Sequence, residues 1–242
     1  MTVSATPPER DGAVAIALHW AIGAAIDVEG AGAISALALE PSNPGAAYVF
    51  AHGAGAGMRH AFMAELAARL AERGVATLRF NFPAIERGAR RPDVPRVAHA
   101  AVRAAIAAAN ERWPGLPLFA GGKSFGGRMT SQAQADAELA GVRGLVFVGF
   151  PLHPAGRPGD ERAEHLDRVA RPMLFVQGTR DELADPALLR AVVARLGERA
   201  TLVEIEDADH AFHVRRSSGS DDRRVLDRIA DAASDWMARQ GG

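Results

Sequence analysis

The residues GGKSFGG (121–127) lie between a short apolar run and a helical pattern, and they set the expectation for the whole fold. Within them, Gly122-x-Ser124-x-Gly126 predicts a nucleophile elbow, a tight strand-to-helix turn that exposes a serine hydroxyl. Such a turn needs residues without side chains two positions before and after the serine, because strand and helix crowd there. The helix N-terminus behind the serine favours developing negative charge. Ser124 is therefore the candidate nucleophile.

The same stretch also contains Gly-Lys-Ser, the end of a phosphate-binding loop pattern. That pattern requires a glycine five positions before Gly122, and position 117 is Pro117. The residues between them resemble a strand rather than a glycine-rich loop. The sequence therefore argues against nucleotide binding at this turn.

Strand-like and helix-like stretches alternate on both sides of the elbow. Strands are predicted at residues 46–51, 75–80, 116–120, 145–149, 173–177 and 201–205. Helices are predicted at residues 58–73, 96–112, 125–137, 186–196 and 221–239. This alternation predicts an α/β fold with a mostly parallel, doubly wound sheet.

The N-terminal part departs from this alternation. Residues 26–40, with glycines at positions 30 and 32, predict an antiparallel hairpin at the sheet edge, whereas residues 13–26 fit either a strand or a helix. We expect residues 1–12 to be a flexible N-terminus and residues 13–242 to form a single domain. The two irregular insertions, 81–95 and 150–162, are too short for a large lid domain but suited to bordering a site.

The loops after the last two predicted strands supply an acid and a base. Asp181 follows the first of these strands and His210 follows the second, which is the chain order of partners in sheet hydrolases with a serine nucleophile. His210 would take the proton of Ser124, and Asp181 would fix the imidazole tautomer. Glu182 and His213 remain alternatives for the acid and the base.

The spacing His210-x-x-His213 also admits a metal site. No H-E-x-x-H pattern accompanies it and the chain has no cysteine, so we expect neither a metal nor a cofactor.

The loop after strand 46–51 has the composition of an oxyanion hole. Small residues there let backbone N–H groups converge on an oxyanion, and we expect the amides of Ala54 and Phe125 to do so. The residues expected to support these loops are His52, Gly53, Gly55, Gly122 and Gly126. A dinucleotide site is disfavoured, because the glycines alternate and Asn81 stands where an acidic residue should follow the next strand.

Six motifs together resemble one known family. They are HGAGAGMRH (52–60), RFNFPAIERG (79–88), GGKSFGGRM (121–129), GFPLHP (149–154), QGTRDE (177–182) and DADHAFH (207–213). Over residues 46–237 the chain resembles predicted bacterial α/β-hydrolases of the dienelactone-hydrolase type, whose eukaryotic relatives include a subunit of a histone acetyltransferase complex. The resemblance implies an α/β-hydrolase fold with Ser124, Asp181 and His210 as catalytic triad. Dienelactone hydrolase itself uses a cysteine nucleophile, so its lactone substrate is not carried over.

Composition narrows the classes of function. The chain has 242 residues, 48% of them hydrophobic, and a formal net charge of −1, so we expect a sizeable core and neither nucleic acid nor membrane as partner. The absence of cysteine excludes thiolate nucleophiles and disulfides, and Lys123 is the only lysine. The N-terminus lacks the basic cluster of a secretory signal, so we expect a cytoplasmic protein. The oligomeric state is left open.

The resulting expectation is a serine hydrolase that cleaves a small soluble carboxylic ester through an acyl-enzyme. The alternatives are a thioesterase, peptidase or acyltransferase on the same fold, or a scaffold protein without turnover. Several arginines near the predicted site allow an anionic acyl substrate, with solvated surface charge as the simpler explanation. They are Arg59, Arg87, Arg90, Arg91 and Arg128.

Overall fold

Six apolar runs form the parallel part of the sheet in the computed structural model, which describes residues 19–20 and 24–241. These strands are β4 (Ala46–Ala51), β5 (Val75–Phe80), β6 (Leu118–Lys123), β7 (Val142–Val148), β8 (Met173–Gly178) and β9 (Ala200–Ile205). Their spatial order is β5-β4-β6-β7-β8-β9, with every neighbouring pair parallel. The predicted mostly parallel sheet is confirmed.

Strand β6 extends further than the sequence pattern indicated. Its glycines were expected to end the strand at residue 120, but the ladder continues through Gly121 and Gly122 to Lys123. A Cβ at Gly121 would run into the carbonyl of Val146 on β7, so glycine permits the close approach of the two strands. The predicted boundary was therefore wrong for a reason of tertiary packing.

An antiparallel edge precedes the parallel strands. It consists of β1 (His19–Trp20), β2 (Ala24–Val28) and β3 (Gly32–Glu40), with β1 and β2 both paired to β3 and β3 paired to β5. The predicted hairpin is confirmed. Of the stretch that fitted strand or helix, residues 19–20 and 24–26 are strand, and its other residues lie outside the described part. The predicted flexible N-terminus, residues 1–12, also lies outside it.

Helices cover both faces of the sheet. The described residues include α1 (Ala61–Glu72), α2 (Pro83–Glu86), α3 (Pro95–Arg112), α4 (Phe125–Asp136), α5 (Pro186–Leu196) and α6 (Asp222–Gly241). Helix α1 begins three residues later than predicted, since the His60 ring caps it by accepting from the amide of Phe62 at 3.3 Å. The sequence pattern missed α2 and a 3₁₀ helix at Glu161–Arg168.

Alternating strand side chains build two hydrophobic layers. Val49 and Phe147 point into a layer that α3, α4 and α5 cover. Tyr48 and Phe119 point into the opposite layer, where Trp236 of α6 packs edge-on against Phe119 at a ring separation of 5.8 Å. Both layers share one sheet over the described residues. The single domain over residues 13–242 stays a prediction. Burial of these apolar faces is the main force that holds helices and sheet together.

All the parallel strands end at the same edge of the sheet, so the loops after β4, β6, β8 and β9 meet there. Besides irregular chain, the insertions 81–95 and 150–162 hold only α2, the first residue of α3 and the start of the 3₁₀ helix, so no lid domain is present in the part of the chain described. Within that same part, no helix has both the length and the apolar character needed to cross a membrane.

Candidate active site

The elbow at the end of β6 holds Ser124 in a conformation that side chains rarely adopt. Ser124 has φ 50° and ψ −113°, directly before the first residue of α4. Strain of this kind is a recognised property of catalytic serine turns. A Cβ at either Gly122 or Gly126 would meet the carbonyl of Ala51 on β4, so both positions require glycine. The predicted turn geometry is therefore present, and it sets the serine hydroxyl at the carboxyl edge of the sheet.

Two further loops bring an imidazole and a carboxylate to this hydroxyl. His210 Nε2 lies 2.9 Å from Ser124 Oγ, and His210 Nδ1 lies 2.7 Å from Asp181 Oδ2. Because a carboxylate only accepts hydrogen bonds, Nδ1 carries the ring proton and Nε2 is free to accept from the serine. The three residues singled out in the sequence thus form one continuous hydrogen-bonded chain.

Asp181 is anchored by partners that the sequence did not reveal. Its side chain is fully buried, and Gln177 Nε2 donates to Oδ2 at 2.6 Å while the amide of Leu183 donates to Oδ1 at 2.8 Å. Gln177 also accepts from the amide of Phe150 at 2.8 Å through its own oxygen, which fixes the orientation of its amide. Together these contacts hold the carboxylate in place for His210.

The alternative candidates for the acid and the base have other surroundings. His213 Nδ1 pairs with Asp222 Oδ2 at 2.6 Å, and its side chain is 68% exposed. Glu182 is exposed, whereas its neighbour Asp181 contacts His210. In the described ranges no three histidine, aspartate or glutamate side chains gather as a metal site would require.

The loop after β4 carries Ala54, the first of the two residues whose amides were predicted to form the oxyanion hole. His52 is buried, and its Nε2 accepts from the amide of Phe82 at 3.0 Å, so its proton sits on Nδ1 and is donated to the Gly53 carbonyl at 2.7 Å. Burial lowers the pKa of His52, in keeping with a neutral ring. Because the C=O and N–H of a trans peptide point in opposite directions, this bond turns the Ala54 amide away from His52.

The second predicted amide, that of Phe125, begins α4 beside the serine. Among the described residues no acceptor is bound to the amide of either Ala54 or Phe125. Both amides are therefore free to donate to an incoming oxygen, as an oxyanion hole requires. His52 acts here through Gly53, a role that the sequence assigned only in general terms.

A pocket of about 540 Å³ opens in front of Ser124 and His210. Its walls are mainly apolar side chains of α1, α6 and the loop after β9. They include Phe62, Met63, Phe212 and Leu226. A pocket of this volume suits a small molecule.

The arginines singled out in the sequence do not line this pocket in the described structure. Arg87 pairs with the buried Asp93 at 2.8 Å, while Arg90 and Arg91 border a separate, much narrower cavity beside Phe125. The structure thus gives these arginines no role in holding an anionic acyl group.

A second serine–histidine pair joins α4, which carries Ser131, to the 3₁₀ helix Glu161–Arg168, which carries His165. Ser131 Oγ is 2.7 Å from His165 Nε2, which invites comparison with a catalytic pair. Burial, with the charges of Arg168 and Arg128, lowers the pKa of His165 to about 4. The Ser131 hydroxyl donates to the carbonyl of Arg128 at 2.9 Å, so His165 donates to the serine rather than accepting its proton. Both side chains are buried, outside the cavities found in the described chain.

Comparison with known proteins agrees with this architecture. A family model described as an alpha/beta hydrolase domain matches residues 44–238. A serine hydrolase without a lid from Xanthomonas campestris superposes with a TM-score of 0.70 at 22% identity, covering 89% of this chain and 94% of that one. A serine hydrolase homologue from Coxiella burnetii gives 0.69 at 23%, covering 86% and 96%.

A dienelactone hydrolase from Anabaena variabilis gives a TM-score of 0.70 at 20% identity, covering 90% of this chain and 96% of that one. At these identities the similarity to solved structures concerns the fold alone. The family assignment rests on the match to the family model. The chain belongs to the α/β-hydrolase domain family, and its fold is of the dienelactone-hydrolase type.

Proposed function

We propose that the protein is a serine hydrolase that cleaves small carboxylic esters, with Ser124 as nucleophile, His210 as base and Asp181 as its partner. The observation that carries the proposal is the hydrogen-bonded chain from Asp181 through His210 to Ser124 Oγ, which opens onto a pocket of about 540 Å³. A small-molecule substrate follows from the pocket volume, and the reaction needs no cofactor.

The chemistry runs in two halves. Ser124 Oγ attacks the ester carbonyl while His210 Nε2 takes its proton, and the amides of Ala54 and Phe125 donate to the carbonyl oxygen as it becomes negative. The tetrahedral intermediate collapses as His210 returns the proton to the departing alkoxide, which leaves as the alcohol. Water then attacks the acyl-enzyme with His210 again as base, releasing the acid and restoring Ser124.

An esterase and an acyltransferase differ in the molecule that accepts the acyl group in the second half of the reaction. A thioesterase or a peptidase would share the attack of the serine in the first half. The pocket walls are mainly apolar, with Lys123, Glu65 and Asp222 as their charged members, and this apolar lining favours an uncharged acyl or alkyl group. A panel of esters, thioesters and amides with acyl chains of graded length ranks these reactions by kcat/KM.

Labelling with a fluorophosphonate tests the proposal directly, because the reagent bonds only to an activated serine. We expect one label per chain in the folded protein, mapped by peptide mass spectrometry to Ser124, and none in protein that was unfolded before addition. A folded protein without label, or with the label on Ser131, contradicts the proposal.

Asp181→Asn is expected to lower kcat by about 10⁴-fold, because an amide at this position favours the wrong tautomer of His210. Glu182→Gln is the matched control, since Glu182 is adjacent and exposed, and it is expected to retain wild-type turnover. Steady-state hydrolysis of a short-chain ester measures both variants. A comparable loss of kcat in the Glu182→Gln variant would contradict the assignment of Asp181 as the acid.

A further inference from the structure

Lys123 is a charged group that the proposed mechanism does not use. It is the only lysine of the chain and the last residue of β6, directly before Ser124. Its ammonium Nζ donates a hydrogen bond of 2.6 Å to the backbone carbonyl of His210. One side chain therefore connects the strand that carries the nucleophile to the backbone of the base.

Three other elements enclose this ammonium. Nζ lies 5.8 Å from the ring centroid of Phe62 on α1 and 5.2 Å from that of Phe212, within the range of cation–π attraction. The two rings stack on each other at 5.7 Å. At the end of β7, Gly149 has φ +68°, and a Cβ there would come within 2.9 Å of Nζ. The lysine thus occupies a site formed on several sides, and it also borders the pocket in front of Ser124.

The contact with Lys123 adds to a set of bonds that fix the His210 loop, among them those from the Ala211 and His213 amides to Asp209 Oδ1, both at 2.9 Å. The loop is fixed before His210 by a bond from the Arg180 amide to the Ala208 carbonyl at 2.9 Å, and around it by one from the Asp209 amide to the His213 carbonyl at 3.0 Å. In the described structure the carbonyl of His210 itself is bonded by Lys123. Because catalysis depends on sub-ångström placement of the base, this bond bears directly on the Ser124–His210 distance.

We propose that Lys123 is a positioning residue for His210: its ammonium fixes the His210 carbonyl and thereby holds the imidazole within reach of Ser124 Oγ. The proposal rests on the hydrolase function given above. It makes the charged form of the lysine the active form, because a charge-assisted hydrogen bond is stronger than a neutral one.

The surroundings of Lys123 bring its pKa into a pH range in which activity can be measured. Burial lowers the pKa of Lys123 to about 8, against the opposing influence of Asp181 and Asp209. The charges that act on it are those of Asp181, from the loop after β8, and Asp209, from the loop after β9. Besides His210, the pocket that Lys123 borders contains four further titratable side chains: His60, Glu65, His213 and Asp222. Carboxylates lose their protons far below pH 8, and an imidazole base loses activity towards acid. We therefore expect kcat to fall above about pH 8, as the Lys123 ammonium loses its proton.

As Lys123 loses its proton, the free energy of unfolding is expected to change in the direction opposite to kcat. The folded pKa of Lys123, about 8, lies below the ordinary value of 10.5, so between these values the folded state binds fewer protons than the unfolded state. The contribution of this group to the free energy of unfolding then rises with pH across that window. An alkaline loss of kcat caused by Lys123 is consequently separable from unfolding.

The test compares wild type with Lys123→Met, which keeps an unbranched side chain one atom shorter and removes the donor. We expect kcat for a short-chain ester to fall by about 10- to 100-fold with KM little changed, and the decline above about pH 8 to disappear. Thermal unfolding of both proteins across the same pH range confirms that each is folded during the assay.

A chemical rescue uses the absence of cysteine from the chain. Lys123→Cys introduces a single thiol, and alkylation with 2-bromoethylamine rebuilds an amine of nearly lysine length. We expect alkylation to restore kcat and to move the alkaline decline to lower pH, because sulfur in the chain makes this amine more acidic. Alkylation of the Lys123→Met protein, which has no thiol, is the control and is expected to have no effect.

Three results would overturn the proposal. If Lys123→Met has wild-type kcat and KM, the contact is not needed for catalysis. If the variant has a raised KM and an unchanged kcat, the lysine is a substrate-binding group. A lowered kcat that keeps its alkaline decline points to packing alone. Failure of the hydrolase function is seen separately, as a wild-type protein that takes up no fluorophosphonate.

Discussion

Ser124→Ala is expected to lower kcat for a short-chain ester by about 10⁶-fold, because the variant has no group to form the acyl-enzyme. The oxyanion amides and the pocket remain, so a residual acceleration over water of about 10³- to 10⁴-fold is expected. Single-turnover hydrolysis at high enzyme concentration measures this remainder.

Ser131→Ala is the matched control for this experiment. It removes a serine hydroxyl of the second serine–histidine pair, which is buried away from the pocket. We expect this variant to keep wild-type kcat and to lose some stability, because His165 is left without its partner. Retained turnover in Ser124→Ala together with its loss in Ser131→Ala would place the chemistry at the second pair.

His210→Ala is expected to lower kcat by about as much as Ser124→Ala, and the double variant to be no worse than either single variant. This non-additivity arises because the serine and its base act as one unit: without the base, the hydroxyl is a weak nucleophile. The loss is expected to persist at every pH, since no other group lies in the position of His210 Nε2, 2.9 Å from Ser124 Oγ.

His213→Ala distinguishes this result from a general disturbance of the loop. His213 lies three residues further along, borders the pocket and pairs with the exposed Asp222 rather than with Asp181. We expect a change confined mainly to KM, because the side chain meets substrate space but no reacting atom. Loss of kcat in this variant, with retention in His210→Ala, would reverse the assignment of the base.

Local patterns in the sequence were sufficient to predict the parallel sheet and to select the residues of the candidate site. Short apolar runs ended by glycine or polar residues became the parallel strands, and the spacing around Ser124 became an elbow because strand and helix leave room only for Gly122 and Gly126. Asp181 and His210 followed from chain order alone, since the carboxyl ends of parallel strands share one edge.

What the sequence did not predict depends on contacts between distant residues. The extension of β6 reflects the approach of β7, and Gln177 is linked to Asp181 by a side-chain bond that no spacing rule indicates. The contact from Lys123 to the His210 carbonyl joins residues 87 positions apart. Such pairs are set by how strands and loops are arranged in space, and a single sequence contains no signal for them.

The pocket walls and the reacting groups come from different parts of the chain. Ser124, Asp181 and His210 follow strand ends, whereas Phe62, Met63 and Leu226 are contributed by α1 and α6. Substitutions on these two helices therefore change the size and shape of the substrate site without touching the elbow, where even a methyl group meets backbone. Natural or laboratory selection can therefore vary the pocket wall, whereas the elbow beside it tolerates almost no substitution.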